Sequence, residues 1–424
     1  MTRLARWLAR IEALHPRGAA GIELGLERVR EVQARLGQRQ SVPLITVGGT
    51  NGKGSTCALL EAILGAAGYR VGLYTSPHLL RYNERVRIGG ADVGDAALCA
   101  AFGRVEAARS QTSLTYFEFG TLAAWECFAA AAVEVVILEV GLGGRLDAVN
   151  CYDADCAVIT TIALDHCDYL GSSRAAIARE KAGIMRSGRP AVCGDADPPA
   201  SLQRHAKAVG ARLRLRGHDF GCAATEQGRW RYWSAAGTRL ELPAPALAGA
   251  HQIANAAAAL CALESLQTRL RVTQPDIERG LARARLAGRL ELRRGRVPLL
   301  LDVAHNPQAA RVLAASLQAM PCAGKTWAVF GMMRDKDIAA VIAAMRGVVT
   351  RWLPLSLPGA RAATCAELVA ALVEQGCDVE RQPFADAAAA LRAAQAMADE
   401  GDRIVAFGSF LTVADVLRQL ARKA

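Results

Sequence analysis

The stretch Val47-Gly48-Gly49-Thr50-Asn51-Gly52-Lys53-Gly54-Ser55 decides how this chain is read. It follows a short apolar run, Val42 to Val47, and opens into an alanine- and leucine-rich segment of helical character from Cys57 to Ala67. Strand, glycine-rich turn and helix in that order form a cradle for nucleotide phosphates. Glycines let several backbone N–H groups face one anion, the helix N-terminus adds partial positive charge, and Lys53 supplies a point charge for the β- and γ-phosphates. The spacing departs from the usual phosphate loop: three residues separate Gly48 from Gly52, and Gly54 stands between Lys53 and the Ser55 hydroxyl.

A phosphate loop needs a carboxylate on a neighbouring strand, and Val135-Val136-Ile137-Leu138-Glu139 offers one. A buried parallel strand that ends in Glu139 would place that side chain beside the loop, where it holds magnesium directly or through water. The glycines that follow permit close backbone approach, and Asp147 is a candidate either for supporting the site from behind its direct ligands or for contacting substrate. A third segment, Thr160 to His166, reads as a strand running into metal-competent groups, with His166 at the end of a strand expected to neighbour Glu139. Asp302, closing a strand of the second half, is suited to accept ribose hydroxyls, and His305 to reach a phosphate.

Composition bounds the class. With 424 residues the chain is too long for one core, so two domains are expected. The 52% hydrophobic and 21% charged residues are those of an ordinary globular protein. The longest apolar stretch, Leu122 to Leu138, carries Glu126 and Glu134 and reads as a buried helix passing into a strand. Leu4, Trp7, Leu8, Ile11 and Leu14 recur at helical spacing and predict a packed amphipathic helix rather than a transit peptide. Twelve cysteines are scattered without a CxxC pair, as expected of reduced core residues in a cytoplasmic protein. The net charge of +11 comes from dispersed arginines, which fits a field that attracts small anions better than a nucleic-acid groove. Neither nucleic acid nor membrane is an expected partner.

Apolar runs alternate with alanine-rich helical stretches, which predicts an α/β protein with parallel sheets. Strands are expected near Leu44–Val47, Val71–Tyr74, Val135–Val140, Ala157–Thr161 and Pro190–Cys193. A small antiparallel excursion is expected between Gly217 and Pro245, and helix from His251 to Leu266. A second series follows Gly288, at Leu299–Val303, Trp327–Phe330, Trp352–Leu355 and Ile404–Phe407, with the alanine-rich stretch Ala385 to Ala398 helical. The hinge falls at roughly Arg285 to Val297. The fold expected is therefore an N-terminal phosphate-loop, parallel-sheet ATPase domain (1–288) and a C-terminal Rossmann-like α/β domain (289–424).

Ordered along the chain are GTNGKGS (Gly49–Ser55), TSPHL (Thr75–Leu79), NERVRI (Asn83–Ile88), LEVGLGGRLDAVN (Leu138–Asn150) and IALDH (Ile162–His166). REKAGI (Arg179–Ile184), AGRLE (Ala287–Glu291), DVAHNP (Asp302–Pro307), DKD (Asp335–Asp337) and FGSFLTVA (Phe407–Ala414) complete them. From Gly21 to the C-terminus this series resembles the Mur-ligase superfamily, and more closely the folylpolyglutamate synthase/dihydrofolate synthase family. The resemblance implies that Thr50, Asn51, Gly52, Lys53, Gly54 and Ser55 hold ATP phosphates, and that Ser76, Glu139 and His166 ligate magnesium. It further implies that Lys181, otherwise a bland helical lysine, is carbamylated and supports a second Mg²⁺, with a monovalent cation also possible. Asn255, Arg289 and Asp302 would contact the nucleotide, with His305 close by. Lys53, His166, Lys181 and His305 would then be the catalytic set. The pterin would lie against Glu23, Leu24, Gly25 and Leu26, against Thr115, Tyr116, Phe117 and Glu118, and against Leu146, Asp147 and Ala148. Two departures stand out: Ser55 replaces a threonine, keeping the hydroxyl, and Leu411 stands where many relatives carry histidine.

The reaction implied is ATP-dependent joining of L-glutamate to dihydropteroate and to tetrahydrofolate derivatives through an acyl phosphate, by a monomer. Rival readings are a cell-wall Mur ligase, a nucleotide switch and a kinase. The first carries an additional N-terminal domain, for which the roughly 40 residues before the loop are too few. The second has no need of Asp302, His305 or Lys181, and the third shares only the phosphoryl-transfer step.

Overall fold

The computed structural model describes residues 2–15, 21–225, 228–380 and 382–421. The chain forms two compact units, Met1–Ala246 with Gln252–Arg285, and Leu247–His251 with Leu286–Ala424.

In the first unit the strands are β1 (Leu44–Gly48), β2 (Val71–Tyr74), β3 (Val86–Ile88), β4 (Ala91–Asp92), β5 (Val135–Glu139), β6 (Cys156–Ile159), β7 (Pro190–Cys193) and β8 (Arg212–Leu215). Among the described residues they make one sheet in the order β4-β3-β2-β5-β1-β6-β7-β8. Neighbours from β2 to β8 run parallel, while β3 and β4 add an antiparallel edge. Every residue of β1, β5, β6 and β7 is buried, which is why they read as continuous apolar runs rather than alternating ones. A three-stranded antiparallel sheet follows: β9 (Phe220–Ala224), β10 (Arg229–Ser234) and β11 (Arg239–Pro243), with β10 central. Glu264 ties β10 and the turn after it to the helix His251–Ser265, accepting from Tyr232 Oη at 3.1 Å, Ser234 Oγ at 2.8 Å and Thr238 Oγ1.

The second unit carries β12 (Glu291–Arg293), β13 (Leu299–Leu301), β14 (Thr326–Phe330), β15 (Arg351–Pro354) and β16 (Arg403–Phe407), in the order β12-β13-β16-β14-β15. All pairs are parallel except β12–β13. Its core is built on the rings of Phe330, Trp352 and Phe407, with Phe330 5.1 Å from each of the others.

Most of the expected elements are present, including the amphipathic helix Arg3–Leu14, which buries Leu4 and Ile11. Three differences affect the site. Strand β6 does not neighbour β5, because β1 lies between them, so the segment after β6 flanks the phosphate loop rather than Glu139. That strand also stops at Ile159 and not Thr161, releasing Thr160 and Thr161 for other bonds. Finally, β3, β4, β8 and β12 are short strands at or next to a sheet edge that apolar patterning did not reveal. All twelve cysteines are free thiols; seven are buried and Cys167 is exposed. Among the described residues no helix is long and apolar enough to cross a membrane.

The helix that follows the phosphate loop, Lys53–Ala66, packs against Gln274–Arg283. Contact is closest at Gly280, where a Cβ would come within 2.5 Å of Ile63 Cα. Gly280→Ala is therefore expected to push the two helices apart and to lower the unfolding free energy by about 1–3 kcal/mol, read as a lower midpoint in urea denaturation.

Candidate active site

The connection from β1 leads to β2 on one side of the sheet and that from its neighbour β6 leads to β7 on the other, so the ends of these two strands flank the place where an open α/β sheet leaves a crevice. The loop beyond it is held by the segment after β6. Thr50 N–H donates to Thr161 O at 2.7 Å, and Asn51 N–H to Thr161 Oγ1 at 3.0 Å. Thr160 Oγ1 donates to Asn51 O at 2.6 Å, and Ala163 N–H to Thr50 Oγ1 at 3.0 Å. Thr160 and Thr161, expected as the end of the strand, are thus engaged in shaping the loop. Gly49 is required here, since a Cβ would lie 1.9 Å from Thr160 Oγ1.

The helix Lys53–Ala66 begins at Gly52, which is left-handed (φ 88°) and supplies no side-chain cap. Its first N–H groups are left for an anion, as a phosphate site requires. Lys53 Nζ lies over the loop, 3.1 Å from both Gly49 O and Thr50 O. Asn255 packs against Gly52, its Oδ1 2.6 Å from where a Cβ would stand, and Ser55 is buried.

Register places Glu139 directly beside Val47. Glu139 is buried, and its Oε2 accepts the Ser76 N–H at 3.1 Å, which joins two of the expected metal ligands. His166 is left-handed (φ 52°), and its N–H donates to Asp165 Oδ1 at 2.9 Å. Among the described residues no three His, Cys, Asp or Glu side chains gather as a metal site. Glu139 and His166 would need the Ser76 hydroxyl and a modified Lys181 to complete a set. The oxygen-rich character of those donors fits magnesium.

Lys181 is buried, and burial pushes its ammonium down to about 7, with Lys53 adding repulsion against the attraction of Asp165 and Asp147. Asp147 is pushed up to about 7 by burial, against N–H bonds from Leu142 (2.7 Å) and Val149 (3.1 Å) and the attraction of Lys53. Lys53, Asp147, Asp165 and Lys181 therefore share one electrostatic neighbourhood.

The three segments expected to receive the pterin do converge. Gly25 N–H reaches Leu146 O at 3.4 Å, and Arg28 donates to Glu118 Oε1 at 3.0 Å while also pairing with Glu23. Phe117 lies 5.7 Å from the Tyr74 ring and over Gly141, where a Cβ would be 2.7 Å from it. Arg85 sits over both Tyr82 and Tyr116, at 5.5 and 5.4 Å. Arg85 lies inside the Asn83–Ile88 motif and Arg28 just beyond Leu26, yet nothing in their spacing marked them.

In the second unit Asp302 accepts N–H bonds from Leu290 and Ala304, both at 2.8 Å. Burial raises its carboxyl, which Arg289, those bonds and His251 draw down. Arg289 lies 5.1 Å over Phe410, whose ring is 5.9 Å from His305. Phe410 is the member of this group that sequence reasoning missed.

Known proteins resemble this chain in sequence and in fold over nearly its whole length. The Mur ligase middle domain matches residues 47–263 and the Mur ligase glutamate ligase domain residues 288–410. Dihydrofolate synthase/folylpolyglutamate synthase of Escherichia coli (strain K12) is 46% identical over 415 residues, covering 98% of this chain and 94% of that protein. The structure of E. coli FolC in complex with DHPP and ADP superposes with a TM-score of 0.93 at 45% identity, covering 100% of this chain and 99% of that one. A bifunctional folylpolyglutamate synthase/dihydrofolate synthase with Mn, AMPPNP and L-glutamate bound gives 0.91 at 45% identity, over 99% and 98% of the two chains. Fold and site together define an ATP-dependent Mur ligase. Within that class, the chain belongs to the dihydrofolate synthase/folylpolyglutamate synthase family.

The buried lysine has a measurable cost. Its folded-state pKa of about 7 lies below the unfolded value, so the penalty is complete below pH 7 and is relieved as pH rises toward 10.5. In CO₂-free buffer Lys181→Met is expected to melt at a higher temperature than the parent, with the gap widest below pH 7 and closing above it. Thermal melts from pH 6 to 9.5 test this.

Proposed function

We propose that this chain joins L-glutamate to dihydropteroate and to tetrahydrofolate derivatives at the expense of ATP, acting as a monomer in the cytoplasm. The observation that carries the reading is the phosphate loop, clamped open at an uncapped helix N-terminus, with the buried carboxylate of Glu139 in register beside it. ATP-binding is assigned to residues 1–288 and the glutamate-ligase role to 289–424. Thr50 to Ser55 and Asn255 serve the nucleotide from the first part, and Arg289, Asp302 and His305 from the second. The structures of relatives with ADP or AMPPNP and Mn support a nucleotide with a divalent ion.

In the first step a carboxylate oxygen of the pteroyl substrate attacks the γ-phosphorus of ATP, the bond to the β,γ-bridging oxygen breaks, and ADP leaves. Two anions meet here, so neutralisation matters more than a general base. Lys53 and the loop N–H groups provide it from this chain. Ser76, Glu139 and His166 would hold one magnesium ion and Lys181 would support a second, supplying further charge neutralisation; a monovalent cation is part of the same proposal. In the second step the amine of L-glutamate attacks the acyl carbon, loses a proton and expels phosphate. An acyl phosphate hydrolyses readily, so water must be kept out. Glu23–Leu26, Thr115–Glu118 and Leu146–Ala148 bind the pterin, with Phe117 and Tyr116 giving aromatic surface.

Lys181 meets the chemical condition for carbamylation. A neutral amine adds to CO₂ and loses one proton, and an ammonium held near 7 is substantially neutral at physiological pH. The product is an anion suited to a magnesium site, where the ammonium itself is repelled by Lys53.

ADP formation with dihydropteroate or tetrahydrofolate, each with and without L-glutamate, tests the assignment. Turnover should require both substrates, and a chain that hydrolyses ATP regardless of acceptor would refute it. Lys53→Ala and Glu139→Ala are expected to lower glutamate-dependent phosphate release by at least about a hundredfold, the scale of losing a transition-state charge contact. With ¹³C-bicarbonate, a carbamate resonance should grow from pH 6 to 8 in the parent and be missing in Lys181→Ala.

A further inference from the structure

Two nucleotide contacts of the proposed function, Ser55 and Asn255, lie on different helices, and one buried side chain joins them. Gln252 stands in the first turn of His251–Ser265 and is 0% exposed. Its Nε2 donates to Ser55 Oγ at 3.3 Å, and its Oε1 accepts from Asn255 Nδ2 at 2.9 Å. That second bond fixes which end of the Asn255 carboxamide faces Gly52, whose lack of a side chain leaves room for Oδ1. Gly52 and Ser55 belong to the same turn that opens the phosphate loop helix. The Gln252 carboxamide therefore ties that turn to Asn255 at both ends, using one donor and one acceptor.

We propose that Gln252 is a positioning residue for nucleotide binding, holding Asn255 and the Ser55 hydroxyl in the arrangement ATP meets. It need not touch the nucleotide. A buried carboxamide is costly unless its bonds are made, and an apolar side chain of similar size would fill the same space without that cost. Packing alone does not call for glutamine at this place, while the orientation of Asn255 does. The inference rests on the proposed function in one respect, that the loop and Asn255 receive the nucleotide.

The test compares Gln252→Leu, Asn255→Ala, the double variant and Gln252→Glu with the parent, using ADP with Mg²⁺ in calorimetry and ATP in steady-state assays. Loss of a buried hydrogen-bond pair converts to about a tenfold weakening. Gln252→Leu should raise the ADP Kd and the KM for ATP by that factor, with kcat at saturating ATP and the KM for L-glutamate within about twofold of the parent. The double variant should be no weaker than the more affected single variant, since both act through one arrangement. Gln252→Glu keeps the acceptor facing Asn255 and should lose less than Asn255→Ala. It decides the matter if nucleotide-free melting shows that Gln252→Leu fails to fold. Parent-like ADP binding by Gln252→Leu, or losses that multiply in the double variant, would overturn the inference. A parent that binds no ADP would instead overturn the nucleotide reading of the loop.

Discussion

The hydrogen bonds between the phosphate loop and the segment after β6 are the constraint on which the rest of the site depends. A glycine-rich loop has no fixed shape of its own, because each glycine widens the range of conformations it must give up on folding. Here Thr160, Thr161 and Ala163 take up the loop's N–H, carbonyl and hydroxyl groups at 2.6–3.0 Å, so its inward-facing amides are set before an anion arrives. Such preorganisation moves the entropic cost of shaping the site from the binding step to folding.

The same region gathers ionisable groups that burial works against. Glu139, Asp147 and Lys181 are all buried, and the last two sit near the boundary between charged and neutral forms. A core evolved for stability alone would fill those positions with apolar side chains. Their presence beside the loop is the physical trace of a site that handles charge, and it is bounded by a sheet whose central strands are wholly buried. The first unit thus stabilises itself through β1, β5, β6 and β7 while carrying buried ionisable groups at and beyond their tips.

Much of this was legible in the order of residues. The loop, Glu139 at its strand end and the parallel α/β class are local or periodic signals, and each survives in the structure. Strand order is different in kind: that β1 inserts between β5 and β6 depends on pairings about 90 to 110 residues apart, which is why patterning alone puts β6, the strand before His166, directly beside β5. Short edge strands such as Arg212–Leu215 and Glu291–Arg293 carry charged residues and no apolar run, so pattern reading passes over them. Arg85, Gln252 and Phe410 owe their roles to what lies opposite them, and nothing in their own segments announces it.

Cys167 follows His166 directly and is the exposed thiol of the twelve, whereas burial raises the pKa of Cys57, Cys127, Cys156, Cys193 and Cys261 and so withholds their thiolates. A maleimide fluorophore or nitroxide can thus be attached to the unaltered polypeptide one residue from a proposed magnesium ligand. Evolution has left there a ready-made reporter, and its emission or line shape would follow occupancy of the crevice in real time without an engineered cysteine.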